Sequence, residues 1–192
     1  MTAAFSLDDL ARVHRLTRHQ YEQMAAAGVL REDARVELLY GVIVDMSPQG
    51  SDHGWSTRRL GRLLDRQLDD RAVVSVQFPF RAGDWSEPEP DLAVIPPAED
   101  RPEAHAAHAH LLVEVSQTTL RTDLGPKARL YAELGVPQYW VVDLAARCVH
   151  EHTDPREDGY ATVAVRRPGD VLAVAAFPDV TVAVDEILPP VP

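Results

Sequence analysis

Two acidic residues and one lysine stand beside short apolar runs. Asp91 immediately precedes LAVI (92–95), Glu114 closes on the end of LLVEV (111–115), and Lys127 lies in the stretch TDLGPKARLYAELG that follows. If the two runs are neighbouring strands, both carboxylates project from strand ends toward one point. Hard oxygen ligands placed this way suit Mg²⁺ or Mn²⁺, which take one or two protein carboxylates and keep positions for water and a substrate phosphate. Lys127, in the first turns of its helix, reaches the same point. Its ammonium would stabilise charge developing on a phosphoryl group or position an attacking water. The plainer alternative is that such acids simply cap or solvate the strand ends.

Composition singles out the lysine. Of 19 basic residues 18 are arginine and only Lys127 is lysine, and the chain has no asparagine. Such a skew suggests codon usage favouring arginine, under which a lysine persists where arginine cannot replace it. A compact ammonium fits a crowded metal–phosphate site that a planar guanidinium does not.

Several elements must position these groups. Ser6 with Asp9, and Thr17 with Gln20, have the spacing of capping boxes, so two short N-terminal helices are expected, the second ending at Gly28. Residues 35–40 and 42–46 are β-rich runs around Gly41, which predicts a hairpin or a bulged pair. From Asp52 to Leu68 the pattern is helical, with Leu60, Leu63, Leu64 and Leu68 on one face and Arg58, Arg59, Arg62 and Arg66 on the other. Arg58 and Arg62 are secondary candidates for phosphate contacts, although a solvated outer face explains them equally simply.

Val73–Phe80 reads as a strand, DWSEPEP as a turn with Glu87 and Glu89 in solvent, and residues 96–110 as loop. In the next helix Leu124, Tyr131 and Leu134 point inward, Gly135 stops it, and Asp123 caps or precedes it. Residues 138–143 form a strand whose Tyr139 and Trp140 are core aromatics. His105, His108 and His110 have ligand-like spacing but lie in an alanine-rich loop without a cysteine partner, so solvated histidines are expected rather than zinc ligands. The order of elements predicts an α/β fold with a mixed sheet flanked by helices. One domain is expected, with a helical arm over 1–15, a core over 16–152 and a β-rich C-terminal extension over 153–192.

A net charge of −11 opposes a protein that clamps DNA over a broad basic face, so any nucleic-acid contact must be local. The single Cys148 cannot form an internal disulfide, the N-terminus lacks signal-peptide features, and no apolar run is long enough for a membrane helix. A cytoplasmic location is expected, with no membrane role. Edges along 138–142 and in the β-rich tail could pair with a second copy, which makes a homodimer one assembly the sequence allows.

The runs RVELLYGVIVDMSPQGSDH, SEPEPDLAVI and LLVEVSQTTLRTDLGPKARLYAELGVPQYWVVD resemble the Uma family of bacterial endonucleases, within the PD-(D/E)XK superfamily. The resemblance spans about residues 16–152. It implies a restriction-endonuclease-like fold and Mg²⁺-dependent hydrolysis of DNA phosphodiesters. Pro90 and Asp91 match the "PD", and Glu114 matches the following acid. Ser116 occupies the usual place of the lysine, whose role passes to Lys127. Glu37 and His53 match further family positions, where an acid would support the metal and an imidazole would contact substrate or act as base. Gln117 stands where relatives carry an acid. Two other functions stay open: a binding or assembly module that keeps the scaffold without efficient chemistry, and a metal-dependent hydrolase of small phosphate esters, to which an acidic protein is suited.

Overall fold

The computed structural model describes residues 13–31, 33–102 and 104–190, so the helix expected from Ser6, and most of the arm over 1–15, lie outside the described residues. Thr17 opens α1 (Arg18–Ala26) with the expected reciprocal cap: Gln20 N donates to Thr17 Oγ1 at 3.2 Å, and Thr17 N donates to Gln20 Oε1 at 2.8 Å. β1 (Val36–Leu39) and β2 (Val42–Asp45) form an antiparallel hairpin. Its two turn residues, Tyr40 and Gly41, both have positive φ, at 51° and 83°, the backbone a tight two-residue hairpin requires.

α2 (Ser51–Leu68) buries Leu60, Leu64 and Leu68 and leaves Arg58, Arg62 and Arg66 exposed, as its periodicity predicts. β3 (Val73–Val76) is shorter than expected. Gln77 takes a φ of 51° and its N–H bonds to the Asp91 carbonyl, so the chain leaves the strand geometry at Gln77, right after Val76 and short of Phe80. β4 (Leu92–Ile95) and β5 (Leu111–Ser116) follow. A connection of α3 (Leu120–Thr122), a wide π-turn (Asp123–Lys127) and α4 (Ala128–Glu133) then leads to β6 (Gln138–Asp143).

These strands and the two that follow, β7 (Cys148–Arg156) and β8 (Gly159–Arg166), make one six-stranded sheet in the order β3-β4-β5-β6-β7-β8. Only β5 and β6 pair in parallel, as a strand–helix–strand crossover demands. Every residue of β4, β5 and β6 is buried, because helices and a hairpin cover both faces. The period-2 alternation splits the core. Leu92, Val94, Leu111, Val113, Trp140 and Val142 face α2 and the hairpin β9 (Val171–Val174)–β10 (Phe177–Ala183), beside α5 (Val184–Ile187). Ala93, Leu112, Tyr139 and Val141 face Tyr131 of α4 and Leu39 of β1.

The architecture is the expected mixed sheet between helices, with additional strands at the C-terminal end. β7 crosses the expected boundary at 152/153, and β8 extends the main sheet, so the tail is continuous with the core. Two other expectations are corrected. The 138–142 strand is interior, paired on both sides, and offers no edge; the sheet edges are β3 and β8. Leu134 is exposed, because α4 ends at Glu133 and Leu134 is already its cap.

Candidate active site

Asp91 sits one residue before β4, where the β4–β5 ladder ends. Its carboxylate takes over the pairing there: Val115 N donates to Oδ2 at 2.8 Å. The same oxygen lies 3.0 Å from His53 Nε2, and Gln77 Nε2 donates to Oδ1 at 3.2 Å. A carboxylate oxygen already accepting a backbone N–H is an acceptor, so Nε2 of His53 carries the proton of that bond. The His53 Nδ1 is buried without a hydrogen-bond partner among the described residues.

Glu114 is an even-numbered residue of β5, so the alternation that sends Leu112 toward α4 sends Glu114 there as well. Lys127 comes down from the crossover to meet it. Pro126 has no N–H to donate one turn back, and Asp123–Lys127 form the wide π-turn around it. Lys127 Nζ lies 3.0 Å from Glu114 Oε1 and 2.9 Å from Glu37 Oε2, while Tyr131 Oη, one turn along the helix, donates to Glu114 Oε1 at 3.1 Å. Glu37 reaches the group from β1 and also accepts from Glu89 N at 3.2 Å. All of Glu37, His53, Asp91, Glu114 and Lys127 are buried.

Together these side chains line a cleft of 690 Å³. Six carboxylates (Glu37, Asp45, Glu89, Asp91, Glu114, Asp123) and four cations (Arg35, Arg121, Lys127, Arg129) border it, so negative charge is in excess. Burial pushes the Glu114 carboxyl well above its ordinary range; Lys127 opposes this, and Asp123, Asp91 and Glu37 push it further up. Burial works against the Lys127 ammonium, but Glu114, Glu37 and Asp123 outweigh it and raise its pKa, so the lysine is charged. Asp123 and Glu89 are likewise raised, each chiefly by burial. The same burial and crowding of acids that raise these carboxyls favour an added cation in the pocket. Asp91 and Glu114, both on the cleft, offer the hard oxygen donors that a divalent cation would take. Among the described residues no three His, Cys, Asp or Glu ligand atoms converge in the cleft. Mg²⁺ accepts such a two-carboxylate site and fills its other positions with water and substrate oxygens.

Other expectations are revised. Asp123 precedes α4 without N-capping it: it opens the π-turn, is 2 % exposed, and accepts from Thr119 Oγ1 at 2.6 Å. Glu87 is buried rather than solvated, and Glu89 is partly buried on the cleft wall. Arg58 and Arg62 do not line the cleft; its arginines are Arg35, Arg121 and Arg129, which sequence reasoning missed. Gln117 does line it. The three loop histidines do not converge, since His105 lies by Glu87, His108 by Glu99, and His110 packs edge-on to Phe177. Tyr131 and Asp123 were legible in principle, because each is four residues from Lys127 and so shares its helix face.

A family model described as "Uma2: Putative restriction endonuclease" matches residues 18–185. No curated protein matches the chain. Among solved structures, a "putative nuclease belonging to DUF820" from Anabaena variabilis is similar with a TM-score of 0.66, over 96 % of this chain and 97 % of that one, at 12 % identity. At that identity the likeness is one of fold. No helix among the described residues is long and apolar enough to cross a membrane.

Proposed function

Because the chain belongs to the Uma2 family of restriction-endonuclease-like proteins, we propose that it is a Mg²⁺-dependent endonuclease that hydrolyses DNA phosphodiester bonds in the 690 Å³ cleft. The observation that carries this reading is the buried cluster in which Lys127 Nζ meets Glu114 and Glu37 within 3.0 Å beside Asp91. Asp91 and Glu114 would hold the cation. When bound, it supplies a polarised phosphoryl oxygen and a more acidic water.

The chain's own groups do the rest. His53, Gln77 and the Val115 amide fix both oxygens of Asp91, and Tyr131 fixes Glu114, so neither carboxylate reorganises as charge develops. Lys127 is held charged by its three carboxylate neighbours and stabilises the negative charge gathering on the phosphoryl oxygens. Arg35, Arg121 and Arg129 on the cleft wall contact flanking phosphates, a local basic contribution on an otherwise acidic protein.

A second reading, hydrolysis of small phosphate esters, is favoured by one observation: carboxylates outnumber cations in the cleft. One experiment separates them. Supercoiled, linear and single-stranded DNA and a nucleotide panel are incubated with the protein and Mg²⁺ or Mn²⁺, alongside Asp91→Asn and Lys127→Met. DNA cleavage that falls at least ~100-fold in both variants is expected. Cleavage that persists in both would sink the assignment, and turnover of nucleotides alone would select the second reading.

A further inference from the structure

A second set of ligand atoms converges outside the cleft, at the turn joining β6 to β7. Asp143 is the last residue of β6 and Cys148 the first of β7, and the antiparallel register sets them opposite each other. His150, two residues on, shares the Cys148 side of the strand. His150 Nε2 lies 3.8 Å from Cys148 Sγ and 3.8 Å from Asp143 Oδ2, and one donor atom from each residue lies within 4.8 Å of the other two. Cys148 is 2 % exposed and Asp143 4 %, while His150 is partly open.

The spacing suits a shared cation better than a hydrogen-bonded trio. At 3.8 Å the His150–Asp143 contact is too long for a hydrogen bond. Metal–ligand distances of about 2.0–2.3 Å in a tetrahedron place ligand atoms roughly 3.3–3.6 Å apart, a small inward adjustment of the two 3.8 Å contacts. The surroundings are already arranged. Ala146 N donates to Asp143 Oδ1 at 2.9 Å, which leaves Oδ2 toward His150, and Leu144 N donates to Ser116 O at 3.0 Å, which anchors the turn on β5. Arg147, next to Cys148, is drawn away to the Pro189 carbonyl at 2.9 Å. One thiolate, one imidazole and one carboxylate form a borderline-soft set that selects Zn²⁺ over Mg²⁺, with a fourth position open to water.

We propose that Asp143, Cys148 and His150 form a Zn²⁺ site, separate from the hard-cation site of the cleft, that clamps the β6–β7 turn. Binding exchanges the thiol proton of Cys148 for the metal and releases that proton to solvent. Asp143 borders a second hollow with Gln117 and Arg121, both of which also line the cleft, so the clamp sits against the cleft wall.

The test titrates the full chain with Co²⁺, a spectroscopic stand-in for Zn²⁺, and follows the thiolate-to-cobalt charge-transfer band. The band is expected at one equivalent, displaced by Zn²⁺, absent in Cys148→Ser, and retained in Asp91→Asn/Glu114→Gln. His150→Ala, at a partly exposed position, should weaken Zn²⁺ binding by roughly tenfold or more. The proposal is overturned if folded wild-type protein gives no band at millimolar cobalt, or if the band is undiminished in folded Cys148→Ser. Unchanged Zn²⁺ affinity in His150→Ala overturns it even if the cysteine variant does not fold.

Discussion

Lys127 Nζ and Glu114 Oε1 lie 3.0 Å apart, buried, thirteen residues apart in sequence and on opposite ends of one strand-to-helix crossover. The same ammonium meets Glu37 at 2.9 Å, from a hairpin outside the main sheet. One cation therefore ties three separate elements together at the cleft and offsets the repulsion among its acids.

Replacing Lys127 with Met should remove activity and also destabilise the fold by about 3–5 kcal/mol, because buried carboxylates lose their counter-charge. Lys127→Met/Glu37→Gln should recover part of that stability without recovering cleavage, a coupling readable by urea denaturation as a double-mutant cycle. Equal stability of wild type and Lys127→Met would mean that the ammonium is not paired as described. Lys127→Arg should not restore activity, since the planar guanidinium cannot occupy the same point between two carboxylates.

His53 lines the cleft and is hydrogen-bonded to Asp91 at 3.0 Å, which places it to position that carboxylate. His53→Ala should weaken Mn²⁺ binding by about 10- to 100-fold, the usual cost of removing a group that orients a metal-binding carboxylate. Isothermal titration measures this directly, and unchanged Mn²⁺ affinity would remove His53 from the positioning role.

Glu87 gives the protein a pH-dependent stability unrelated to catalysis. Burial, with Glu22 and Glu89 adding to it against Arg18, pushes its carboxyl up to about 7, and its Oε2 is buried without a hydrogen bond. The folded state thus binds this proton more tightly than the unfolded state does. Its contribution is fully present below the ordinary carboxyl value of 4.5 and is lost as pH rises to about 7. Glu87→Gln should flatten stability across that window. Above pH 7 it should gain about 1 kcal/mol, the shift being discounted for screening by Arg18. Thermal melts from pH 4 to 8 compare the two proteins, and parallel profiles would refute the assignment.

Gly41 is required where it stands. Its φ is +83°, and a Cβ there would sit 2.7 Å from Arg15 Cβ and 3.0 Å from the Leu16 carbonyl oxygen. Gly41→Ala should cost at least about 2 kcal/mol, combining left-handed backbone strain with that clash. Gly83→Ala is the control: its φ is also positive, at +73°, but no atom lies within 4 Å of an added Cβ, so it should cost less. A denaturant series on both variants settles the difference.

What the sequence by itself determined is local and periodic. The Thr17–Gln20 cap, the leucine face of α2, the apolar runs of β4, β5 and β6, and the chemical types at Asp91, Glu114 and Lys127 follow from spacing. A helix repeats every 3.6 residues and a strand every two, and both patterns survive in one dimension. Only the tertiary structure decided what those residues meet. Glu37 and Lys127 are ninety positions apart, and their contact depends on where the hairpin docks. Glu87 was expected in solvent because its neighbours are proline and acid, yet it is buried by bonding of its backbone to Leu38. The 138–142 strand looked like an edge until the sheet order placed β5 and β7 on either side of it. Strand order, register and the packing of crossovers are non-local, and they alone bring the arginines of the cleft to their positions.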